Sequence, residues 1–116
     1  MSNEDGSFGA TVRRLREEQK IGLRKFALMV GMSPTYLSKV ERDEEAPPSE
    51  EKIVRLAAEL GEDPDVLLAI AGKVSSDLRQ AILKRPELFG TLIRELKDMP
   101  DRAVLRLVRE VRDGKW

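Results

Sequence analysis

The sequence contains no cysteine and no histidine, and aromatic residues make up only 4% of its 116 residues. The lack of cysteine excludes disulfide bonds, a thiolate nucleophile and cysteine-ligated zinc, and it is typical of proteins in a reducing compartment. The lack of histidine removes the most common general base and transition-metal ligand. These absences exclude most enzyme designs, so we expect a protein that is not an enzyme. We predict no catalytic, metal-binding or cofactor-binding residues.

Long apolar runs are also absent. No stretch approaches the roughly 20 apolar residues that a transmembrane helix needs, and the acidic, polar residues 1–6 do not resemble a signal peptide. We therefore expect a cytoplasmic protein without a membrane partner, in which residues 1–6 form a flexible tail. Few aromatic residues and 36% charged residues favour helices with solvated faces over a β-sandwich. The length allows one compact domain with a small appendage.

The charges balance overall but are unevenly distributed along the chain. The 21 Lys and Arg residues equal the 21 Asp and Glu residues in number. Residues 12–42 nevertheless hold eight basic and three acidic residues, whereas residues 43–51 hold five acidic residues and no basic one. Residues 73–116 hold 11 basic and seven acidic residues, a net charge of +4. Such basic segments are typical of surfaces that bind nucleic acid.

Periodic apolar residues predict short amphipathic helices along the whole chain. Ser33-Pro34 is an N-cap followed by proline at the first helical position, a signal that recurs later in the sequence. Five such helices within residues 7–72 predict a compact all-α domain. Only a few residues around Gly31 separate the second helix from the third. A connection this short makes the two helices cross steeply, as in a helix-turn-helix.

A spaced set of residues supports this interpretation and leads to a family. The pattern is Ala27-x-x-x-Gly31-x-Ser33-x-x-x-Leu37-Ser38-x-Val40-Glu41-Arg42, followed by Pro-Pro-Ser-x-x-x-Ile-x-x-Leu-Ala at 47–57 and Leu60-Gly61-x-x-Pro64-Asp65-x-Leu67-Leu68. Over roughly residues 8–72 the sequence resembles the lambda-repressor-like (XRE/Cro-type) helix-turn-helix family. The resemblance implies a five-helix DNA-binding domain and a transcriptional regulator that binds double-stranded DNA.

The sequence departs from the family pattern at two positions. Leu23 stands at the start of the second helix, where a glutamine is common, so a side chain that often contacts DNA in relatives is missing. Glu41-Arg42-Asp43 stands where Glu-x-Gly often ends the recognition helix, so the usual glycine is lost. Neither departure threatens the fold, but together they prevent the DNA target from being deduced by analogy.

The predicted recognition helix spans residues 33–42. In this class of domain the N-terminal part of that helix faces the base edges, and the preceding helix spans the backbone. We expect Thr35, Tyr36 and Lys39 to set the sequence preference, whereas Ser33 and the arginines contact phosphates. The predicted DNA-binding residues are Arg13, Arg14, Arg24, Ser33, Pro34, Thr35, Tyr36, Ser38, Lys39 and Arg42.

Each of these roles has a plain structural alternative. Tyr36 would serve equally as a half-buried cover over the turn, and Lys39 as a solvated helix charge. The arginines of the first helix would form the polar face that any amphipathic helix needs. The acidic residues 43–51 are explained by a solvated loop and by favourable acids in the first turn of the fourth helix.

Residues 73–116 form a C-terminal helical region that needs a partner surface. Some forty residues are too few to bury their many Leu, Ile and Val side chains alone. Either a second copy or the first domain could cover them. We predict a homodimer, because a dimer also lets two recognition helices read two half-sites. The predicted dimerisation residues are Leu78, Ile82, Leu88, Phe89, Leu92, Ile93, Leu96, Val104, Leu107, Val108 and Val111.

Together these observations predict an all-α, homodimeric transcriptional repressor that binds an inverted-repeat operator. The alternative is an antitoxin-like or adaptor protein whose C-terminal helices bind a regulatory protein partner. The two functions are compatible in one chain, and sequence-specific DNA binding distinguishes them.

Overall fold

The computed structural model describes residues 6–114, and its regular elements within that range are all α-helices. In chain order they are α1 (Phe8–Glu18), α2 (Leu23–Met29), α3 (Pro34–Glu41), α4 (Glu50–Leu60), α5 (Pro64–Ile70), α6 (Ser76–Lys84), α7 (Pro86–Leu96) and α8 (Asp101–Asp113). The predicted all-α class is confirmed. Residues 1–5 of the predicted tail lie outside the described residues.

The chain divides into two compact units, with the boundary between Ser76 and Asp77. We refer to residues 6–76 as the N-terminal unit and to residues 77–114 as the C-terminal unit. The segment after α5 lies with the N-terminal unit because two side-chain contacts hold it there. Lys73 Nζ donates to the Pro48 carbonyl (2.8 Å), and Ser76 Oγ donates to the Glu50 carboxylate (2.8 Å).

The N-terminal unit has a continuous hydrophobic core. Its helices pack α4 on α5, α1 on α3, α2 on α3 and α1 on α4. The amphipathic stripes expected from the sequence supply the buried side chains. The core residues are Phe8, Val12, Phe26, Ala27, Val30, Met32, Leu37, Val40, Ile53, Leu56, Ala57, Leu60, Leu67 and Leu68.

Side-chain caps start four of the five helices of the N-terminal unit. Ser7, Ser33, Ser49 and Asp63 each accept a hydrogen bond from a backbone N–H two or three residues further along. Each cap satisfies one of the donors that a helix start leaves open. Helix α2 begins after Gly22 and has no side-chain cap.

All five helices of the N-terminal unit end on a residue in the left-handed conformation: Lys20, Gly31, Asp43, Gly61 and Gly72. After each of these residues, the next backbone N–H donates to the carbonyl five residues back, the hydrogen bond of a Schellman motif. Glycine occupies this position in three helices at no steric cost. Lys20 (φ 58°) and Asp43 (φ 57°) occupy it in the other two, where a side chain costs about 1 kcal/mol.

The C-terminal unit has no comparable core. No residue of α6, α7 or α8 is buried. Five of the predicted dimerisation residues are half-buried, namely Ile82, Phe89, Leu96, Val104 and Leu107. The large exposed apolar side chains are Leu78, Leu83, Leu88, Leu92, Ile93, Met99, Leu105, Val108 and Val111. Within residues 6–114, no helix combines the length and the apolarity that a membrane crossing requires.

Candidate nucleic-acid interface

The recognition helix α3 buries one face and exposes the other. Leu37 and Val40 point into the core and hold the helix in place. Thr35 and Lys39 are exposed. Tyr36 is half-buried and packs against the core, so the structure gives it a packing role that leaves part of the side chain accessible. The side chains that we predict to contact base edges therefore lie on a helix whose opposite face is buried in the core.

The turn between α2 and α3 is supported from both sides. Gly31 adopts φ +68°, a conformation that glycine enters without strain. Ala27 is fully buried beneath the turn, where its small side chain lets the two helices approach. From α4, Arg55 donates through Nε (3.2 Å) and Nη2 (3.0 Å) to the Met29 carbonyl at the end of α2. The Arg55 hydrogen bonds hold the end of α2, just before the turn, against α4.

The predicted phosphate contacts divide into paired and unpaired cations. Arg13, Arg14 and Arg42 form surface ion pairs with Glu17 (2.7 Å), Glu18 (3.2 Å) and Glu44 (3.0 Å), respectively. Exposed pairs of this kind contribute little to stability, so these arginines remain available to a phosphate.

Arg24 and Lys39 are exposed and make no ion pair within the described part of the chain. Lys25 is exposed beside Arg24 and is equally unpaired there. The sequence analysis did not predict Lys25 as a DNA-binding residue, because the third position of α2 gave no separate signal.

The Arg13–Glu17 pair changes the titration of both partners. The hydrogen bond from Arg13 lowers the pKa of the Glu17 carboxyl below its ordinary value. The same bond raises the pKa of the Arg13 guanidinium. Both groups are therefore charged at neutral pH.

A buried ion pair joins α1 to the C-terminal end of the recognition helix. Arg16 Nε and Nη2 donate to the two carboxylate oxygens of Glu41 at 2.8 and 2.9 Å. Arg16 Nη1 also donates to the Ile21 carbonyl (2.7 Å). The Glu41 hydrogen bond raises the pKa of the Arg16 guanidinium. Removing one partner of such a pair leaves the other charge buried, at a cost of about 3–5 kcal/mol.

The sequence contains a pattern that could have predicted this ion pair. Arg16 follows Phe8 and Val12 at intervals of four residues, so it stands on the apolar stripe of α1. A charged residue on a buried stripe requires a partner of opposite charge. Glu41, one residue after the buried Val40, is that partner.

A second contact joins the start of α1 to Asp43, which follows the end of α3. Its Oδ1 accepts a hydrogen bond from the Gly9 backbone N–H (3.0 Å), and its Oδ2 accepts one from Ser7 Oγ (2.6 Å). Gly9 permits the close approach of the two helices. A Cβ at that position would lie 2.3 Å from the Val40 carbonyl oxygen, which is far inside van der Waals contact.

A shallow cleft of about 380 Å³ opens beside these contacts. Its lining residues are Arg13, Arg16, Leu23, Ser38, Glu41 and Arg42. Each arginine in it is already paired with a carboxylate. Within residues 6–114, no group of three or more His, Cys, Asp or Glu residues could hold a metal ion.

Comparisons with known proteins agree with this geometry. Residues 12–67 match the family described as "Helix-turn-helix". No curated protein sequence matches the chain. The N-terminal DNA-binding domain of SinR from Bacillus subtilis is similar at 27% identity and a TM-score of 0.50, covering 54% of this chain and 91% of that one.

Two further solved structures are similar. The restriction-modification controller protein C.AhdI from Aeromonas hydrophila has 30% identity and a TM-score of 0.48, covering 52% of this chain and 89% of that one. A SinR protein/SinI protein complex has 22% identity and a TM-score of 0.50, covering 78% of this chain and 91% of that one. At that identity the likeness is one of fold.

The recognition helix, its glycine turn and the family match together define a helix-turn-helix DNA-binding domain. Residues 12–67 thus resemble the lambda-repressor-like helix-turn-helix family of DNA-binding transcriptional regulators in both sequence and fold. The resemblance seen in the sequence is thereby confirmed.

Proposed function

We propose that this protein is a homodimeric transcriptional repressor that acts in the cytoplasm by binding an inverted-repeat operator through residues 33–42. The observation that carries the proposal is the exposed face of α3, with Thr35 and Lys39 accessible and Leu37 and Val40 buried behind them. A threonine and a lysine four residues apart lie on the same side of a helix. Both side chains are able to contact base edges in the major groove.

The cations around α3 support a binding mode with modest non-specific attraction. Three exposed cations near α3 are unpaired among the described residues, namely Arg24, Lys25 and Lys39, but the net charge of the whole chain is zero. Counterion release therefore contributes less to affinity than in a strongly basic protein. Direct contacts from the recognition helix then carry a larger share of the preference for one sequence.

The exposed apolar side chains of the C-terminal unit support a homodimer. They include Leu88, Leu92 and Ile93 on α7 and Val108 and Val111 on α8. Leaving these side chains in water costs about 25 cal/mol for each Å² of apolar surface, a cost that burial against a second copy removes. Two-fold symmetry then presents two recognition helices to two half-sites. Repression by blocking a promoter needs no contact beyond this binding.

The test of DNA binding starts with selection of duplexes from a random library by the full chain. We expect Thr35→Ala with Lys39→Ala to weaken binding of the selected duplex about 100-fold, because two base contacts of roughly 1–3 kcal/mol each are lost. The measurement is a titration of labelled duplex by fluorescence anisotropy at two salt concentrations.

The chain offers a matched control for this double variant. Thr91 and Lys97 are also exposed, and they belong to the C-terminal unit. Thr91→Ala with Lys97→Ala removes the same groups and should leave affinity within about twofold of the unchanged protein. If the unchanged protein enriches no sequence and shows no salt-sensitive preference among duplexes, the proposal is wrong.

The exposed apolar faces of α7 and α8 also favour a second candidate, in which the chain is an antitoxin-like or adaptor protein. In that case the C-terminal unit binds a regulatory protein in place of a second copy. The SinR protein/SinI protein complex offers a parallel in fold. A purified chain that is monomeric at all concentrations and shows no DNA preference would favour this function.

A further inference from the structure

Asp43 occupies a backbone position where a side chain is a disadvantage. It is the left-handed residue of the Schellman motif that ends α3, with φ +57°. The Glu44 N–H donates to the Lys39 carbonyl (2.8 Å), and the Asp43 N–H donates to the Val40 carbonyl (3.1 Å). Glycine favours this conformation. The aspartate therefore carries a steric cost at this position that a glycine would not carry.

The carboxylate of Asp43 offsets that cost through contacts with a distant segment. Its two oxygens accept hydrogen bonds from the Gly9 N–H and from Ser7 Oγ, which lie 34 and 36 residues earlier in the chain. Ser7 is also the N-cap of α1. Lys20, at the equivalent position after α1, is exposed, and its side chain makes no hydrogen bond or ion pair within residues 6–114. The two left-handed sites differ in what their side chains contact.

The Asp43 contact adds a second point of attachment between α3 and α1. Glu41 is held by Arg16, and Asp43 is held at Gly9, seven residues earlier on α1. The two attachment points are thus about 10 Å apart along α1. Core contacts of Leu37 and Val40 hold the body of α3, and the two attachments to α1 add resistance to a change of tilt at its C-terminal end. Gly9, where a Cβ would meet the Val40 and Glu41 carbonyl oxygens, allows this packing.

A pivot at the end of α3 would move the residues at its beginning. Thr35 lies six residues before Glu41, the last residue of α3, which is about 9 Å along the helix. A tilt of about 5° over that length displaces the threonine by roughly 1 Å. A displacement of this size is enough to lose a hydrogen bond to a base edge.

We propose that Asp43 is a positioning residue for DNA recognition, which fixes the tilt of α3 through its contact with the start of α1. This inference rests on the proposed DNA-binding function and deepens it. Asp43 itself needs no contact with DNA in this role. Its contribution should appear in discrimination between sequences, because a misplaced helix loses base contacts and keeps its charge.

The test compares glycine substitutions at the two left-handed sites of the full chain. Asp43→Gly removes the carboxylate and relieves the backbone, whereas Lys20→Gly relieves the backbone alone. We expect Asp43→Gly to weaken binding of the selected duplex about tenfold, and binding of a scrambled duplex of equal length less than twofold. Lys20→Gly should leave the ratio of the two affinities unchanged. Circular dichroism confirms that each variant is folded at the temperature of the titration.

Two further variants separate positioning from stability. Asn tolerates the left-handed conformation and keeps one acceptor oxygen, so Asp43→Asn should recover part of the discrimination. Ser7→Ala combined with Asp43→Gly should be less stable than Asp43→Gly alone, because the N-cap of α1 is lost as well. It should discriminate between DNA sequences no worse, because the Ser7–Asp43 hydrogen bond is already absent in Asp43→Gly.

The outcomes distinguish this inference from the function on which it rests. Unchanged discrimination by Asp43→Gly would overturn the positioning role and leave DNA binding intact. Absence of any sequence preference in the unchanged protein would instead overturn the proposed function, and the positioning role with it.

Discussion

The two units of this chain are built from similar helices but differ in what covers their apolar faces. In the N-terminal unit, fourteen apolar residues are buried in one core. In the C-terminal unit, α7 and α8 are also strongly amphipathic, yet neither helix buries a single residue. Amphipathic spacing therefore predicts that a segment forms a helix and which face of that helix is apolar. The spacing does not predict the surface against which that apolar face is buried.

Size and connectivity explain the difference. Five helices that pack in crossing pairs surround a common interior, whereas three helices in fewer than forty residues have too little material to do so. The N-terminal unit thus has its own source of stability. The C-terminal unit is where stability should depend on a partner.

The largest effect that we expect is on stability, when a large apolar side chain is truncated in the N-terminal unit and not in the C-terminal unit. Phe26 is fully buried and Leu92 is 44% exposed. Phe26→Ala should destabilise the protein by about 3–5 kcal/mol, because it removes buried area and leaves a cavity. Leu92→Ala should cost less than about 1 kcal/mol at low protein concentration. Urea denaturation followed by circular dichroism measures both.

Phe26→Leu provides a milder core variant if Phe26→Ala does not fold, since it keeps most of the side-chain volume. Its free energy of unfolding should lie between those of the unchanged protein and the alanine variant. Equal costs for Phe26→Ala and Leu92→Ala at low concentration would contradict the contrast between the two units.

The second-largest effect that we expect is on dimerisation. Leu92→Glu places a charge on the exposed face of α7 and should raise the dimer dissociation constant about 100-fold or more, because burial of an unpaired charge is costly. The matched control is Leu28→Glu, since Leu28 is 82% exposed in the N-terminal unit. Sedimentation equilibrium over a concentration series is the measurement. Equal effects of the two substitutions would argue against an interface on α7.

The fold of the N-terminal unit could be predicted from the sequence because its signals are local. Ser33 and Pro34 start α3, Gly31 ends α2, and the periodic apolar residues supply the core. Each signal acts within one or two helical turns. The all-α class followed from these signals together.

The candidate site was less accessible to sequence reasoning because its internal contacts are long-range. The Arg16–Glu41 pair joins residues 25 positions apart, and the contact of Asp43 with Gly9 spans 34 positions. These contacts depend on how α1 crosses α3, which no local pattern specifies. The choice of DNA-contacting residues on α3 stays a prediction, as does the role of the C-terminal unit. Exposure shows what is available for binding and not what is bound.

The smallest expected effect concerns surface ion pairs of equal spacing in the two units. Arg13 and Glu17 are hydrogen-bonded at 2.7 Å, whereas Arg106 and Glu110 are 3.7 Å apart, beyond hydrogen-bond distance. Because the hydrogen bond from Arg13 lowers the pKa of Glu17, ionised Glu17 stabilises the folded state at neutral pH. That stabilisation is lost as the pH falls through the lowered pKa, since the unfolded chain takes up the proton at a higher pH.

Glu17→Gln should therefore lower the melting temperature slightly at pH 7 and leave it unchanged at an acidic pH below the lowered pKa, where the carboxyl is protonated in both states. Glu110→Gln should lower the melting temperature less at pH 7, because its pair lacks the hydrogen bond. High salt should reduce the Glu17 effect, since both partners are exposed and screened. A Glu17→Gln effect of the same size at both pH values would mean that the substitution acts on helix propensity and not on the ion pair.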